Sequence, residues 1–260
     1  MGIAMTVLPL KPGIIYGPVD SRRLGRSLGI NLLPCGYKLC SFDCLYCHYG
    51  RTAVKSLRPA AAQFAAVEAV LSAVGAALRS RLDIDFLTFS GNGEPTLHPR
   101  FGEIVDGVRR LRDEINPAVK LAILSNSTTV HLRPVREALE HLDVPILKLD
   151  AGDPVTFARI NRPVPGLDLD RMIEGLGQVP RLLVQCVLIG GSASNTDQAA
   201  LEALLAALRK IRPSQVQIYS TDRPVAASGV ERVPPVLLQG LASEAEKRIG
   251  APVRAYWAEA

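Results

Sequence analysis

Short apolar runs alternate along most of the chain with longer segments in which apolar residues recur at helical spacing. Nearly continuous apolar runs are typical of parallel strands that are covered on both faces, and the longer segments are typical of amphipathic helices. The predicted strands are 27–33, 84–90, 120–125, 145–150, 182–189 and 216–220. The predicted helices are 60–81, 99–114, 132–142, 154–160, 169–177, 195–212 and 234–249.

Strands that alternate with helices in this way predict repeated βα units and a parallel sheet. Such units cross over right-handed and form either an open doubly wound sheet or a barrel, and the periodicity alone does not choose between them. No long linker divides the sequence. We therefore expect a single core domain at 27–250, an N-terminal extension at 1–26 that packs on it, and a C-terminal tail at 251–260.

Composition adds three expectations to this picture. The chain has 260 residues, 48% of them hydrophobic, which is enough to bury a full core. Its formal charge of +5 can favour a polyanion such as RNA, although the arginines are spread along the chain. The start has no signal-peptide pattern, and the apolar stretch 60–78 is interrupted by polar residues. We expect a cytoplasmic protein without a membrane span.

The run CSFDCLYC places three of the five cysteines within eight residues. They are Cys40, Cys44 and Cys47. Thiolates this close repel one another, so a cation is needed to hold them. Structural zinc would need a fourth ligand, for which His48 and Cys35 are the candidates. An iron–sulfur cluster held by only three cysteines would keep one iron open. Cys186 lies in an apolar strand and is expected in the core.

The spacing Cys-x3-Cys-x2-Cys, with Tyr46 directly before the last cysteine, resembles the signature of the radical S-adenosylmethionine (SAM) superfamily. The resemblance implies a partial (β/α)6 TIM-like barrel in which the three thiolates hold a 4Fe–4S cluster. It implies that the open iron chelates the amino and carboxylate groups of SAM, with Tyr46 beside the adenine. An electron from a donor such as flavodoxin or ferredoxin would then release a 5′-deoxyadenosyl radical that takes hydrogen from a substrate.

A second motif supports this resemblance. The run FSGNGEPT, at 89–96, follows the second predicted strand, where the superfamily has a Gly-Gly-Glu-Pro-like motif that binds the amino group of SAM. The matching residues are Gly91, Asn92, Gly93, Glu94 and Pro95. Glycines let a backbone approach a ligand closely, and a carboxylate can meet an ammonium group. The alternative is an ordinary βα turn with a surface acid.

The ends of later strands supply further candidates. Ser125 and Asn126 suit ribose hydroxyls or a carboxylate, or else a turn and helix cap. Lys148 and Asp150 share one face of the fourth strand, where they would contact cofactor or substrate, or form a buried ion pair. Ile189 would pack against adenine or belong to the core.

The stretch 16–29, with KLDAGDP, INRP and IYSTDRP, resembles short radical SAM proteins grouped with the wyosine-base tRNA synthases. Arginines there would meet phosphates, a substrate carboxylate or a local acid. The candidates for substrate contact are Arg22, Arg23, Arg159, Arg162, Tyr219 and Asp222. The wyosine synthases carry a second cluster on three further cysteines. Only two cysteines remain here, which argues against the wyosine reaction itself.

Three functions from different classes follow from these residues. The first is a radical SAM enzyme that acts on a tRNA base or a small metabolite. The second is an activase that places a glycyl radical on a partner protein. The third is a zinc or RNA-binding module without catalysis, which would be colourless, whereas a cluster protein would be brown and oxygen-sensitive.

Overall fold

The computed structural model describes residues 7–80, 82–223, 225 and 227–258. Its contacts group the chain into two compact units. The N-terminal unit consists of residues 10–41 and 52–146. The C-terminal unit consists of residues 7–9 and 42–51 and of the described residues from 147 onward. The cysteine-rich loop is therefore divided, because Cys40 belongs to the N-terminal unit and Cys44 to the C-terminal unit.

Twelve strands and seven α-helices are present in the described residues. The strands are β1 Ile15–Ser21, β2 Gly25–Ile30, β3 Leu39–Cys40, β4 Val54–Lys55, β5 Phe86–Phe89, β6 Lys120–Ser125, β7 Val144–Lys148, β8 Leu183–Val187, β9 Ile189–Gly191, β10 Gln215–Tyr219, β11 Val230–Arg232 and β12 Val253–Tyr256. The helices are α1 Val67–Arg79, α2 Phe101–Ile115, α3 Arg133–Glu140, α4 Pro154–Asn161, α5 Leu169–Leu176, α6 Gln198–Ile211 and α7 Pro235–Ile249.

In the N-terminal unit the strand order is β1-β2-β5-β6, and β7 begins beside β6. β1 is antiparallel to β2, whereas β2, β5 and β6 are parallel. Leu121, Ala122 and Ile123 of β6 are consecutive and fully buried, as expected for a strand that is covered on both faces. The parallel direction places the carboxyl ends of β2, β5 and β6 at one edge, where the site residues of this unit lie.

In the C-terminal unit β8, β10 and β12 are parallel neighbours, and β9 forms a small antiparallel pair with β11. Asp153 caps α4 by accepting a hydrogen bond from Thr156 N at 2.8 Å, with Pro154 in the first turn. Asp197 caps α6 in the same way through Ala200 N at 2.9 Å. Asp197 therefore begins the helix that the sequence predicts at 195–212.

All six predicted strands and all seven predicted helices are present, with shifted ends. The predicted helix 60–81 begins only at Val67, after a separate 3₁₀ turn at Ala61–Gln63. The predicted strand 182–189 is divided into β8 and β9. The extension 1–26 and the tail 251–260 contain β1 and β12, which the sequence prediction missed. Residues 1–6, 81 and 259–260 of these predicted segments lie outside the described residues.

One segment of the described chain, Ala61–Arg79, is long and apolar enough to be considered as a membrane span, with a mean hydropathy of 1.6. The structure divides it into the short 3₁₀ turn and α1, which has 13 residues. At 1.5 Å per residue α1 is roughly 20 Å long, shorter than the hydrocarbon core of a bilayer, which is about 30 Å. The segment is therefore weak support for a membrane span.

Candidate active site

The loop 89–96 is joined to the start of the cysteine loop within the N-terminal unit. Leu39 and Gly93 form a parallel bridge, Leu39 N donates to Asn92 O at 3.0 Å, and Glu94 N donates to Leu39 O at 3.3 Å. The φ angle of Gly93 is 151°, and a Cβ there would lie 1.6 Å from Leu39 O. Only glycine allows this approach, so the backbone packing requires a glycine at position 93 whether or not a ligand binds.

The rest of the glycine-rich turn is also held by protein groups. A Cβ on Gly91, whose φ is 132°, would lie 2.4 Å from Asn31 Oδ1. Asn31 Oδ1 also accepts from Asn92 N at 3.1 Å. The Asn92 amide donates to Lys11 O at 3.0 Å and to Pro34 O at 2.8 Å. These contacts fix the turn, and the predicted contacts of Gly91 and Asn92 with SAM stay predictions.

Glu94 is fully buried and its carboxylate is surrounded by donors. Oε1 accepts from Thr96 N at 3.0 Å, from Thr96 Oγ1 at 2.6 Å and from Ser125 Oγ at 2.9 Å, and Oε2 accepts from Asn126 N at 2.5 Å. Burial raises the pKa of Glu94, and the hydrogen bonds oppose that rise. Pro95 begins the 3₁₀ turn that Glu94 caps. Glu94 therefore ties this loop to the end of β6, and its contact with the SAM amino group stays a prediction.

The side chain of Asn126 lies against Cys40. Its Nδ2 donates to Ser41 Oγ at 2.9 Å and to Cys40 Sγ at 3.4 Å. Its Oδ1 accepts from Thr128 N at 3.0 Å and from Thr128 Oγ1 at 2.8 Å. The sequence suggested that Asn126 meets SAM. In the structure its amide is bonded to protein groups around the first cysteine of the motif, and its contact with SAM stays a prediction.

In the C-terminal unit the second part of the cysteine loop runs along the end of α4. Asp43 N donates to Asn161 O at 3.1 Å, and Leu45 N donates to Ile160 O at 3.0 Å. The Asn161 side chain turns back to the loop, where its Nδ2 donates to Cys44 Sγ at 3.5 Å. Backbone and side-chain bonds therefore fix the segment around Cys44 independently of any metal.

Asp150 is the centre of a buried network in this unit. Its Oδ2 accepts from Tyr46 OH and from Asn161 Nδ2, the latter at 2.7 Å. Its Oδ1 accepts from Val187 N at 2.7 Å and lies 3.6 Å from Lys148 Nζ. Of the two alternatives for this strand, the buried ion pair between Lys148 and Asp150 is therefore present, and cofactor contact by these two residues stays a prediction.

This network sets the charge around Cys44. Burial and the nearby Asp150 and Cys47 raise the pKa of the Cys44 thiol to about 11. Burial acts to lower the pKa of Lys148, but Asp150 and the neighbouring Tyr219 and Cys44 outweigh it and hold the pKa above its ordinary value. Lys148 alone is therefore not enough to keep Cys44 as a thiolate. A further cation, such as a bound metal ion, would be needed.

Tyr46 and Ile189 belong to one apolar cluster, together with Ile160, Val187 and Val225. Ile189 is fully buried within it, which agrees with the core alternative. Lys148 Nζ lies 5.2 Å from the centre of the Tyr46 ring. The contacts of Tyr46 and Ile189 with adenine stay predictions.

The predicted substrate arginines are at or near the surface of their own units. Arg22 is exposed and Arg23 half-buried in the turn between β1 and β2 of the N-terminal unit. Arg159, on α4 of the C-terminal unit, donates to Ser194 O at 2.8 Å. Arg162 ends α4 in a left-handed conformation with a φ of 46°. All four remain candidates for phosphate contact.

The two other substrate candidates have protein partners. Tyr219 OH donates to Gln185 Oε1 at 3.1 Å. Asp222 Oδ1 lies 3.0 Å from Arg232 Nη2, and its Oδ2 accepts from Ala258 N at 2.8 Å. Asp222 therefore anchors the end of the described chain, and substrate contact by Asp222 and Tyr219 stays a prediction.

The donor set of the cysteine loop fits an iron–sulfur cluster by its chemistry. It offers three thiols. Two of their sulfurs each face a side-chain amide N–H, from which a thiolate sulfur can accept a hydrogen bond. Cys35 is exposed and Cys186 is buried in β8, in the core as predicted. Within the described ranges no three His, Cys, Asp or Glu side chains are grouped as a metal site. The ligand set of Cys40, Cys44 and Cys47 therefore stays a prediction from the motif.

Comparison with protein families gives one match, to the radical SAM superfamily over residues 36–207, well over half of the chain. This chain belongs to the radical SAM superfamily. The matched region contains the cysteine loop, the loop 89–96 and the polar ends of β6 and β7. Members of this superfamily are enzymes that use a 4Fe–4S cluster and SAM as cofactors and generally need an electron donor.

Several curated relatives are similar in sequence. A UPF0026 protein of Methanocaldococcus jannaschii is 34% identical over 217 residues, which cover 81% of this chain and 64% of that protein. A UPF0026 protein of Synechocystis sp. is 33% identical, with 81% and 76% covered. A protein named GTPase Obg, from Brachyspira hyodysenteriae, is 30% identical, with 82% and 31% covered. The chain thus spans less than two thirds of the length of some of these relatives.

Solved structures confirm the fold class. TYW1 with a lysine-pyruvate adduct bound has a TM-score of 0.58 at 12% identity, over 86% of this chain and 75% of that chain. Streptococcus suis SuiB bound to S-adenosylmethionine has a TM-score of 0.62 at 13% identity, over 89% and 51%. Native anSMEcpe with bound AdoMet has a TM-score of 0.59 at 17% identity, over 88% and 63%. The mostly parallel α/β fold therefore agrees with the predicted partial TIM-like barrel.

Proposed function

We propose that this protein binds a 4Fe–4S cluster through Cys40, Cys44 and Cys47 and uses it to cleave SAM reductively. The observation that carries the proposal is the three-cysteine motif, with Tyr46 before its last cysteine, inside the region that matches the superfamily. The bound cluster and SAM would supply a 5′-deoxyadenosyl radical that abstracts hydrogen from the substrate.

The described residues support this proposal by what they hold in place. Gly93 and Glu94 fix the loop 89–96 against the segment that leads into Cys40. Asp150 and Asn161 hold Tyr46 and Cys44 through buried hydrogen bonds. A prearranged cysteine loop lowers the ordering cost of cluster binding and keeps the ligands in one geometry.

The test is SAM cleavage by the protein after anaerobic reconstitution with iron and sulfide. With dithionite as reductant we expect 5′-deoxyadenosine, detected by liquid chromatography and mass spectrometry. Cys40→Ala, Cys44→Ala and Cys47→Ala should each abolish the product and most of the bound iron. Cys35→Ala is the matched control and should retain both, because its thiol is exposed and outside the motif. Product formation by any of the three motif variants would contradict the proposal.

For the substrate we propose a tRNA base or a small metabolite, and a binding measurement separates the two. If RNA is the substrate, bulk tRNA should bind with an affinity that falls steeply with salt concentration, because phosphate contacts release counterions. Arg22→Ala combined with Arg23→Ala, or Arg159→Ala with Arg162→Ala, should then weaken binding and flatten the salt dependence. Binding that is weak at low salt and unchanged in these variants would leave a small metabolite as the proposed substrate.

A lysine-pyruvate adduct is named for one of the similar structures, TYW1. The structure does not favour Lys148 as such a lysine in this chain. Its ammonium group pairs with Asp150 at 3.6 Å and lies over the Tyr46 ring, whereas imine formation needs a neutral, accessible amine. We therefore propose no adduct on Lys148.

We further propose flavodoxin or ferredoxin as the electron donor and the cytoplasm as the location of the protein.

A further inference from the structure

We propose that Asn126 and Asn161 are positioning residues that donate N–H···S hydrogen bonds to the cluster sulfurs of Cys40 and Cys44 and thereby raise the reduction potential of the cluster. The inference rests on the proposed function and adds a means of tuning to it. Each contact lies within one unit, at 3.4 Å for Asn126 and 3.5 Å for Asn161.

The orientation of the Asn126 amide follows from its partners. Its Oδ1 accepts from the backbone N–H of Thr128, which can only donate, so the oxygen and nitrogen cannot be exchanged. Nδ2 must then face Ser41 Oγ and Cys40 Sγ. The two N–H groups suffice for these two acceptors. Asn126 is buried, so water does not compete strongly for the sulfur.

The orientation of the Asn161 amide is fixed by the opposite kind of partner. Asp150 Oδ2, a carboxylate oxygen, lies 2.7 Å from Nδ2 and can only accept from it. The second N–H then points to Tyr46 OH at 3.0 Å and to Cys44 Sγ at 3.5 Å. Asn161 is 1% exposed, and its Oδ1 has no hydrogen-bond partner among the described residues. This orientation gives both N–H groups of the side chain an acceptor and leaves its oxygen without a hydrogen bond.

Hydrogen bonds to cluster sulfurs are one of the means by which proteins set a reduction potential. Reduction adds negative charge to the sulfurs, so a donated N–H stabilises the reduced cluster more than the oxidised one. Both donors are buried, where the low dielectric strengthens such a bond. Removing either donor should therefore make the cluster harder to reduce.

A purely structural role predicts something different. Both asparagines also hold the cysteine loop, so a variant could lose activity only because the loop moves. Asn195 provides a matched control in the C-terminal unit. It is 1% exposed, as Asn161 is, and its amide N–H groups donate to Asp150 O at 2.9 Å and to Val187 O at 2.8 Å rather than to a cysteine sulfur. A midpoint potential distinguishes the two roles, because loop stability alone does not set it.

The first experiment compares Asn126→Ala, Asn161→Ala and Asn195→Ala as reconstituted full chains. An anaerobic redox titration monitored by electron paramagnetic resonance gives the midpoint potential of each cluster. We expect a shift to more negative potential in the first two variants, a larger shift in the double variant, and the wild-type potential in Asn195→Ala. Wild-type potentials in cluster-loaded Asn126→Ala and Asn161→Ala would overturn the proposal.

A second experiment uses the wild-type chain, so it remains possible if the asparagine variants fail to hold a cluster. Protein labelled with ¹⁵N in its asparagine side chains is reduced, and pulsed electron paramagnetic resonance is recorded for a coupling between ¹⁵N and the cluster. A coupling is expected, and its absence in a fully loaded cluster would overturn the inference. Both tests presuppose a cluster, so a chain that binds none defeats the proposed function instead, and the two failures are distinguishable.

Discussion

At the residue scale, the clearest constraint in the candidate site is the backbone at Gly93. A Cβ there would lie 1.6 Å from Leu39 O. No rotamer change can relieve this overlap, because Leu39 O belongs to the backbone and the backbone also fixes the position of the Cβ. The bridge between these two residues connects the loop 89–96 to the segment that enters Cys40. A change at Gly93 should therefore act on the cysteine loop without touching a cysteine.

Gly93→Ala should lower the stability of the apo protein by roughly 1–3 kcal/mol or more, since a methyl group forced into a packed site displaces backbone. It should also reduce the iron retained per chain after reconstitution. Chemical denaturation and iron analysis measure the two effects. Gly36→Ala is the matched control in the same unit, because a Cβ on Gly36 meets nothing within 4 Å. Equal iron content in the two variants would show that the bridge does not position the loop.

At the element scale, the turn after β7 packs directly on α6. A Cβ on Gly152 would lie 2.0 Å from Ala203 O and 2.2 Å from Ala203 C, both backbone atoms of the helix. The turn comes directly after Asp150 and Ala151. The close contact therefore helps to fix the end of the strand that carries the buried Asp150.

Gly152→Ala should destabilise the protein by roughly 1–3 kcal/mol or more, because α6 must move away from the turn. Gly240→Ala offers a contrast in α7, where a Cβ has open space. That variant should be stabilising by up to about 1 kcal/mol, since alanine is the better helix former. Urea denaturation of both variants tests the pair, and a Gly152→Ala protein as stable as the wild type would contradict the packing described for this turn.

At the scale of the whole molecule, the sequence predicted the succession of strands and helices because buried parallel strands and amphipathic helices leave strong periodic signals. It missed β1 and β12, whose residues are mostly half-buried or exposed and therefore lack that signal. The predicted helix 60–81 was too long, since an alanine-rich stretch has helical composition on both sides of the break before Val67.

The site was predictable to the level of its motifs. The cysteines, the loop 89–96 and the pair at Lys148 and Asp150 were identified from spacing and alternation. The partners were not, because hydrogen bonds between residues far apart in the chain leave no local pattern. The motif INRP gives no role to Asn161, and the sequence gives no sign that the amides of Asn126 and Asn161 face Cys40 and Cys44.

Anaerobic cleavage of SAM by the reconstituted, dithionite-reduced protein is the decisive test of the proposed radical SAM chemistry. We predict 5′-deoxyadenosine from the wild type and from Cys35→Ala, and none from variants of the three motif cysteines. A fully iron-loaded and reduced wild-type protein that produces no 5′-deoxyadenosine, and whose electron paramagnetic resonance spectrum does not change when SAM is added, would contradict it.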